Sequence, residues 1–199
     1  MTKRLFDIAV SLAALLVLGG PMLLLAVAIR LGSRGAPLFR QTRAGLHGKP
    51  FTMLKFRTMR SDADPFGDSP RSSADPRLTP LGRFLRETSL DELPQLLNVL
   101  YGDMSLVGPR PLYLRQAELW NARQRRRLDV LPGMTGYAQV CGRGDLTLEE
   151  KIELDLHYVD NQSFRMDLRL ILKTVAAVCA RRGGIYQRRY SRDKERETD

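Results

Sequence analysis

The chain has 199 residues, with 32 Lys and Arg against 22 Asp and Glu, so its formal net charge is +10. This excess of positive charge indicates an anionic partner: nucleic acid, an acidic membrane surface or a phosphorylated substrate. The two histidines and two cysteines lack metal-ligand spacing. That argues against a zinc site or a Ser–His triad and favours reduced thiols in the cytosol. Neither GxGxxG nor a Walker-type loop occurs, which argues against dinucleotide-binding and P-loop enzymes.

An uncharged apolar run over residues 8–29 is long enough to span a bilayer as a helix. Gly20 and Pro21 in its middle predict a kink or a break. Both flanks are basic, at Lys3, Arg4, Arg30 and Arg34. By the positive-inside rule both ends then lie on the cytoplasmic side. We therefore favour a re-entrant helix that bends at Pro21 over a straight span, and both over a cleaved signal peptide, for which the run is too long.

The region of residues 32–60 predicts a small β-hairpin that turns at residues 45–48. Lys55 and Arg57 would share one face of its second strand, where the plain interpretation is a solvated surface. The loop of residues 61–80 is rich in Pro, Ser, Gly and Asp, which is typical of a mobile lid. Its aspartates lack EF-hand spacing, so we expect them to be solvated.

A second helix is expected to begin at Thr79, with Pro80 at its first position. It leads to the adjacent carboxylates Asp91 and Glu92. Ser89 and Glu92 match a capping box. The apolar stripe of a following helix consists of Leu93, Leu96, Leu97 and Leu100.

This pair of carboxylates has two interpretations. In the plain one, Glu92 only caps the helix and Asp91 only favours its positive end. In the chemical one, the helix field keeps Asp91 ionised and nucleophilic, while Glu92 points about 100° away and holds a divalent ion. Arg86 and Arg110 lie on either side in sequence and suit bidentate binding of phosphate oxygens. The second interpretation predicts phosphoryl transfer through an aspartyl phosphate-type intermediate.

The C-terminal half predicts three helices and a tail. Residues 112–130 form a strongly basic helix whose Trp120 suits a membrane interface, and we prefer anionic lipid to nucleic acid as the partner of its arginines. An amphipathic helix follows at residues 148–159. Residues 167–179 form a last helix that docks on the membrane or in the core. Residues 181–199 are expected to form a flexible basic tail.

Four motifs resemble blocks of the bacterial sugar transferase family, the monotopic phosphoglycosyl transferases. They are Ser89-Leu-Asp-Glu-Leu-Pro-Gln-Leu96, Gly102-Asp-Met-Ser-Leu-Val-Gly-Pro-Arg-Pro111, Lys55-Phe-Arg-Thr-Met59 and Pro132-Gly-Met-Thr-Gly-Tyr-Ala-Gln-Val140. The resemblance runs from about Lys3 to about Thr174. Departures from the family pattern occur at Gly20, where the family often has Ser, at Tyr137, where Trp is usual, and at Cys141, where Asn is usual.

The resemblance implies a fold that is mostly α with a small β-hairpin (α+β). Residues 1–31 would form the re-entrant membrane helix. Residues 32–180 would form a compact cytosolic catalytic domain with interfacial amphipathic helices, followed by the tail of residues 181–199. The protein would lie at the cytosolic face of a bacterial inner membrane, in contact with phospholipids.

The family's activity implies transfer of a sugar 1-phosphate from a UDP-sugar to a polyprenol phosphate such as undecaprenyl phosphate. UMP would be released through a covalent intermediate on Asp91, with Mg²⁺ held by Glu92. This would be the first membrane step of surface glycan or glycoconjugate synthesis. The expected phosphate-binding residues are Lys55, Arg57, Arg86 and Arg110. The expected substrate-loop residues are Arg77, Tyr137, Gln139 and Arg143.

Two other functions remain at this stage. A membrane-anchored basic protein that binds lipid or nucleic acid without chemistry would explain the charge, although it leaves the Asp91-Glu92 motif without a purpose. A glycosyl transferase that moves only the sugar would release UDP in place of UMP. We expect no nucleic-acid partner. The sugar, the downstream glycan and the formation of a homodimer are left open.

Overall fold

The computed structural model describes residues 2–64, 67, 70 and 72–180; the predicted flexible tail of residues 181–199 lies outside them. The first element is a 31-residue helix, α1 (Thr2–Gly32), that contains Pro21 and continues through it without interruption, so the break predicted at Gly20 and Pro21 is absent. Its most apolar 18-residue stretch has a mean hydropathy of 2.6. By length and composition, α1 can cross a membrane.

Small sheets and short helices follow α1. The strands are β1 (Leu38–Ala44), β2 (Pro50–Phe56), β3 (Ser105–Val107) and β4 (Gly133–Thr135). The helices are α2 (Pro80–Glu87), α3 (Gln95–Tyr101), α4 (Leu114–Glu118), α5 (Ala122–Arg125), α6 (Tyr137–Cys141), α7 (Leu148–Asn161) and α8 (Phe164–Cys179). The prediction of a mostly α fold with a small β-hairpin is confirmed.

The predicted hairpin consists of β1 and β2, which pair antiparallel around a 3₁₀ turn at Leu46–Gly48. The strands β3 and β4 form a separate parallel pair, which the sequence did not indicate. The predicted N-cap of α2 is also present, because the hydroxyl of Thr79 accepts a hydrogen bond from the backbone of Gly82 at 2.9 Å.

The capping box predicted for Ser89 and Glu92 is wrong. Ser89 adopts a left-handed backbone with φ of 59° and makes no side-chain cap. The chain instead forms a 3₁₀ turn at Leu90–Glu92, and α3 begins only after Pro94. The two carboxylates therefore lie in a tight connection between α2 and α3, with Asp91 buried inside it.

The single basic helix predicted for residues 112–130 is also wrong. This segment folds as α4, α5 and a 3₁₀ turn at Arg126–Leu128. Trp120, which we expected at a membrane interface, is buried in a core cluster with Ile152 and Leu156 of α7. Three arginines of this segment pair with acidic residues of α7, as Arg123 does with Glu153 at 2.7 Å.

The last two helices pack by one face each. The helix α7 begins with a capping box at Thr147 and buries Ile152 and Leu156, as its predicted amphipathic pattern requires. The helix α8 buries Asp167 and Leu170. Its opposite side leaves four apolar side chains exposed, those of Phe164, Leu168, Leu172 and Val175.

Candidate active site

The 3₁₀ turn at Leu90–Glu92 lies against β2 and presents two carboxylates in different environments. Asp91 is only 6% exposed. Glu92 is less deeply buried and has two cationic partners. Lys55 Nζ lies 2.8 Å from Glu92 Oε1, and Arg110 Nη2 lies 2.6 Å from the same oxygen. Three segments that are distant in sequence therefore converge on one carboxylate.

These contacts determine the charge states at the cluster. Burial opposes ionisation of Glu92, but Arg110 and Lys55 outweigh it and hold the pKa of Glu92 well below its usual range. Burial also lowers the pKa of Lys55, and the charge of Glu92 partly offsets that effect. The carboxylate of Glu92 is accordingly ionised throughout the physiological pH range.

Asp91 behaves differently from its neighbour. Burial raises its pKa to about 6, although the charges of Lys55, Arg86 and Arg110 act in the opposite direction. The sequence interpretation attributed ionisation of Asp91 to the field of a helix end. In the structure it depends on nearby cations that only partly compensate for burial. At neutral pH the side chain is mostly ionised, in surroundings that hold it away from water.

Arg86, in the last turn of α2, adds a cationic group with unused bonding capacity. Its Nη1 atom is buried and has no hydrogen-bond partner within the described part of the chain. A buried guanidinium nitrogen without an acceptor is costly. An anionic ligand such as a phosphate group provides the acceptor that this nitrogen lacks.

The loop before α2 approaches the same region. Arg77 binds Asp75 through two hydrogen bonds, at 3.0 and 2.7 Å. The pKa of Asp75 is lowered, first by the hydrogen bond from Arg77 and also by the charge of Arg86. Arg86 therefore acts electrostatically on both Asp75 and Asp91, whereas the hydrogen bonds described for the Arg77 side chain are to Asp75.

The structure places Arg57 elsewhere. Its guanidinium donates to the carbonyl oxygens of Ser33 and Arg34 at 2.9 and 2.7 Å, and to the Ser33 hydroxyl at 2.7 Å. It thus binds the C-terminal end of α1 and does not join Lys55 at Glu92. The assumption that alternate residues share a strand face fails here, because β2 ends at Phe56.

The remaining substrate-loop candidates lie around α6. The ring of Tyr137 packs on that of His157, with centroids 4.9 Å apart. Gln139 donates to the carbonyl of Met134 at 2.8 Å. Arg143 belongs to a 3₁₀ turn at Arg143–Asp145, and its side chain lies outside the described part. Contact of these residues with substrate stays a prediction.

Two further residues, Gln95 beside the turn and Lys151 within electrostatic range of Arg110, were not predicted as site residues. Gln95, one helical turn after Asp91, is 2% exposed, and its Nε2 atom has no partner among the described residues. A glutamine inside an otherwise apolar helix start was the available signal. The pKa of Lys151 on α7 is lowered to about 8 by burial and by the charge of Arg110. Positive charge around Arg110 is therefore more extensive than the motifs suggested.

Arg110 is positioned by β3, which ends three residues before it. Ser105 Oγ donates to the buried carboxylate of Asp7 on α1 at 2.7 Å, and Leu106 N donates to the same carboxylate at 3.3 Å. The carbonyl oxygen of Val107 accepts from Lys3 at 3.1 Å. The first turns of the apolar helix thus hold the strand that leads into the site.

A close approach of two backbone segments also helps to position Arg110. A Cβ atom at Gly108 would lie 2.3 Å from the carbonyl oxygen of Leu131, so only glycine fits there. The segment after β3 therefore packs directly on the chain before β4. Arg110 follows two residues later.

The carboxylate turn has an oxygen donor of the kind that a magnesium ion shared with substrate phosphates needs. The described residues contain no group of three or more His, Cys, Asp or Glu side chains placed to hold a metal ion. Mg²⁺, however, commonly takes one or two carboxylates and completes its shell with substrate phosphates and water. Glu92 supplies one hard oxygen donor of this kind, which fits that pattern.

Comparison with known proteins decides the family. Residues 1–181 match the sequence profile of the bacterial sugar transferase family. The chain belongs to this family. The predicted enzyme class, a phosphoglycosyl transferase, is confirmed. The N-terminal apolar helix of this family member also fits association with a membrane.

Members of the family with similar sequences have related names. An uncharacterized sugar transferase, EpsL, of Bacillus subtilis is 46% identical over 181 residues, covering 91% of this chain and 89% of the relative. The UDP-glucose:undecaprenyl-phosphate glucose-1-phosphate transferase of Caulobacter vibrioides is 46% identical over 187 residues, covering 89% and 70%. The exopolysaccharide production protein ExoY of Sinorhizobium fredii is 37% identical over 198 residues, covering 92% and 88%.

Proposed function

We propose that this sugar transferase moves a sugar 1-phosphate from a UDP-sugar to undecaprenyl phosphate and releases UMP. The observation that carries the proposal is the buried, raised-pKa carboxylate of Asp91 beside the Lys55–Glu92–Arg110 cluster. The name of the Caulobacter relative, a UDP-glucose:undecaprenyl-phosphate glucose-1-phosphate transferase, supports the donor and acceptor classes. The reaction would begin a surface polysaccharide or glycoconjugate at the cytosolic face of the inner membrane.

The proposed chemistry has two displacements at one phosphorus atom. A carboxylate oxygen of Asp91 attacks the phosphate that bears the sugar, and the bond from that phosphorus to the UMP oxygen breaks. UMP leaves with the bonding electron pair. An oxygen of the lipid phosphate then attacks the same phosphorus, and the acyl phosphate bond breaks to regenerate Asp91. Each step conserves charge and needs no other reactant.

The cationic residues have a defined part in both steps. Lys55 and Arg110 already converge on Glu92. Arg86, whose charge acts on Asp91, has a buried nitrogen without a partner among the described residues. Bound phosphate oxygens would accept hydrogen bonds from these three side chains. Such fixed charges stabilise the spread of negative charge during phosphoryl transfer.

Glu92 is the residue that we assign to Mg²⁺. Its strongly lowered pKa keeps it ionised, which a magnesium ligand requires. Once a diphosphate is bound, Lys55 and Arg110 gain phosphate partners, which frees the carboxylate for the ion. The metal would neutralise diphosphate charge and favour departure of UMP.

The contacts of α1 support a re-entrant arrangement. Near its start, Arg4 donates to the carbonyls of Val99 and Leu100 of α3, at 2.6 and 3.0 Å. Near its end, Ser33 and Arg34 are bound by Arg57. Both sets of partners belong to one folded unit. A helix that crossed the bilayer would separate one set from the other by the hydrocarbon layer.

The middle of α1 is the part that we place in lipid. Leu16 and Val17 are 77% and 75% exposed, and Leu23 and Leu24 are similarly open. The exposed apolar side of α8 continues this surface, because the ring of Phe164 packs edge-on against Phe6 of α1 with centroids 5.2 Å apart. We therefore propose that α8 lies in the membrane interface, in contact with phospholipids.

Cysteine accessibility tests this topology. After Cys141 and Cys179 are changed to Ser, we expect Thr2→Cys and Arg34→Cys to resist an impermeant maleimide in intact spheroplasts. Both should react once the inner membrane is opened. Val17→Cys should stay protected in both preparations, because it lies in hydrocarbon. Labelling of Thr2→Cys from the periplasmic side would contradict the re-entrant arrangement.

Nucleotide release tests the reaction. The full chain, in detergent with undecaprenyl phosphate and Mg²⁺, should release UMP with at least one member of a UDP-sugar panel. Release of UDP would instead identify transfer of the sugar alone. If no nucleotide is released with any sugar while the lipid still binds, the protein is a binding protein without catalysis. Reactions without lipid provide the background.

A further inference from the structure

A second group of cationic side chains lies beside Arg110, at the end of β1. The guanidinium carbon of Arg43 lies 3.7 Å from the centroid of the Tyr113 ring, and that of Arg115 lies 5.1 Å from the same ring. The Tyr113 hydroxyl lies 3.2 Å from Gln41 Nε2, and Arg43 Nη2 donates to the side-chain oxygen Oε1 of Gln41. We call Gln41, Arg43 and Tyr113 the Tyr113 cluster. It holds the planar group of Arg43 by stacking and by a hydrogen bond.

Arg43 has no carboxylate partner in the part of the chain that the structure describes. It forms no ion pair within residues 2–64, 67, 70 and 72–180, and its Nε atom is buried without an acceptor. Burial lowers the pKa of Arg43 to about 10, and the nearby charges of Arg110 and Arg115 act in the same direction. The side chain nevertheless stays cationic at neutral pH. A partly buried cation without an anion is unfavourable, so this position is suited to an anionic ligand.

The backbone joins the Tyr113 cluster to the candidate active site. Ala44 N donates to Leu112 O at 3.0 Å, which holds the end of β1 against the segment that follows Arg110. A narrow crevice between the two segments is lined in part by Ala44, Gly45, Arg110 and Leu112. Because Arg110 also binds Glu92, a line of positive charge runs from Lys55 through Arg110 to Arg43.

We propose that Arg43, held by Tyr113 and flanked by Arg110, forms a second phosphate subsite that binds a phosphate monoester. This inference rests on the proposed function, in which two such groups visit the site. One is UMP as it leaves, and the other is the phosphate of the lipid acceptor. Both present two or more charged oxygens to a planar guanidinium, which binds them through parallel hydrogen bonds.

Binding measurements on the full chain in detergent test the subsite without requiring turnover. UMP and a short-chain polyprenol phosphate are titrated separately into the wild type, Arg43→Gln and Arg40→Gln. Arg40 is exposed and lies three residues earlier on β1, hence on the opposite face of the strand. It is therefore a matched control for charge. We expect Arg43→Gln to weaken one ligand about tenfold or more, the effect of losing a charged hydrogen bond, and Arg40→Gln to leave both unchanged.

The ligand whose binding is weakened in Arg43→Gln shows which of the two phosphate groups binds at Arg43. A loss confined to UMP places the leaving nucleotide at Arg43, and a loss confined to the polyprenol phosphate places the acceptor there. Affinities for both ligands within twofold of those of Arg40→Gln would overturn the proposal.

Two further variants test the subsite even if Arg43→Gln does not fold. Tyr113→Phe keeps the ring and removes only the hydroxyl, so it should weaken the same ligand to a smaller extent. Arg43→Lys keeps the positive charge but loses the planar guanidinium, so its affinity for that ligand should lie between those of Arg43→Gln and the wild type. If Arg43→Gln does not fold, wild-type affinity in both of these variants would equally overturn the proposal. Failure of UMP release with any UDP-sugar would refute the proposed reaction but would leave these affinities measurable.

Discussion

Asp91→Asn is expected to lower UMP release by at least about 10³-fold, because an amide has no charged oxygen with which to attack phosphorus. Intact-mass spectrometry of enzyme mixed with donor alone should show an added sugar phosphate on the wild type and none on the variant. Glu92→Gln is the matched control. It alters the adjacent carboxylate by the same chemical change and should slow the reaction, yet still accumulate the adduct. Near-normal turnover of Asp91→Asn would refute covalent catalysis at this position.

The same substitution should stabilise the fold, and the gain should depend on pH. The pKa of Asp91 is about 6 in the folded protein against 3.8 ordinarily, so the folded state binds a proton more tightly than the unfolded state does. Keeping Asp91 ionised therefore costs about 3 kcal/mol of stability above pH 6, and this cost disappears below pH 4. Asp91→Asn should unfold at higher temperature than the wild type at pH 8 and at equal temperature near pH 3.5.

The raised pKa of Asp91 also predicts the pH dependence of the wild-type activity. Because only the ionised carboxylate attacks phosphorus, kcat/KM should fall about tenfold for each pH unit below about 6.

Asp155→Asn is expected to destabilise the protein by about 3–5 kcal/mol, which is the cost of leaving a buried charge without its partner. Asp155 and Arg127 form an ion pair whose side chains are 2% and 3% exposed. Arg127 also donates to the carbonyl oxygen of Arg110 at 2.9 Å. The free energy of unfolding in urea measures the loss of stability, and UMP release should decline with it because Arg110 loses support.

An exposed pair on the same two segments is the control. Arg123 and Glu153 remain 66% and 53% exposed although they are paired at 2.7 Å. Solvent and salt screen such a pair, so Glu153→Gln should change stability by less than about 1 kcal/mol. Equal losses in Asp155→Asn and Glu153→Gln would show that burial of the first pair has no energetic consequence.

Local sequence patterns predicted the structure correctly where interactions between residues close in sequence determine it. The Gly-rich turn between two alternating segments predicted the hairpin of β1 and β2. Thr79 followed by Pro80 predicted the start of α2, because the cap and the proline act within one helical turn. Asp91, Glu92, Lys55 and Arg110 were selected as motif residues, and the structure brings them together.

Long-range contacts decided the features that the sequence missed. The basic segment after Pro111 folds as short pieces, and its Arg127 pairs with Asp155 of α7, 28 residues away. The three-residue strands β3 and β4 pair only because the fold brings Gly133 beside Ser105. Arg57 binds carbonyls at the end of α1, a target that no spacing rule relates to it. In each case the partner lies too far along the chain for periodicity to indicate it.

The apolar helix cannot be treated as a detachable tether. Asp7 and Ser11 of α1 are completely enclosed, and Ile29 completes a cluster with Phe56 and Leu85. Truncation before residue 32 would strip the acceptor from the Ser105 hydroxyl and open that cluster to water. A soluble version of this enzyme is therefore better sought by polar substitution of the outward-facing leucines of α1 than by deletion of the helix.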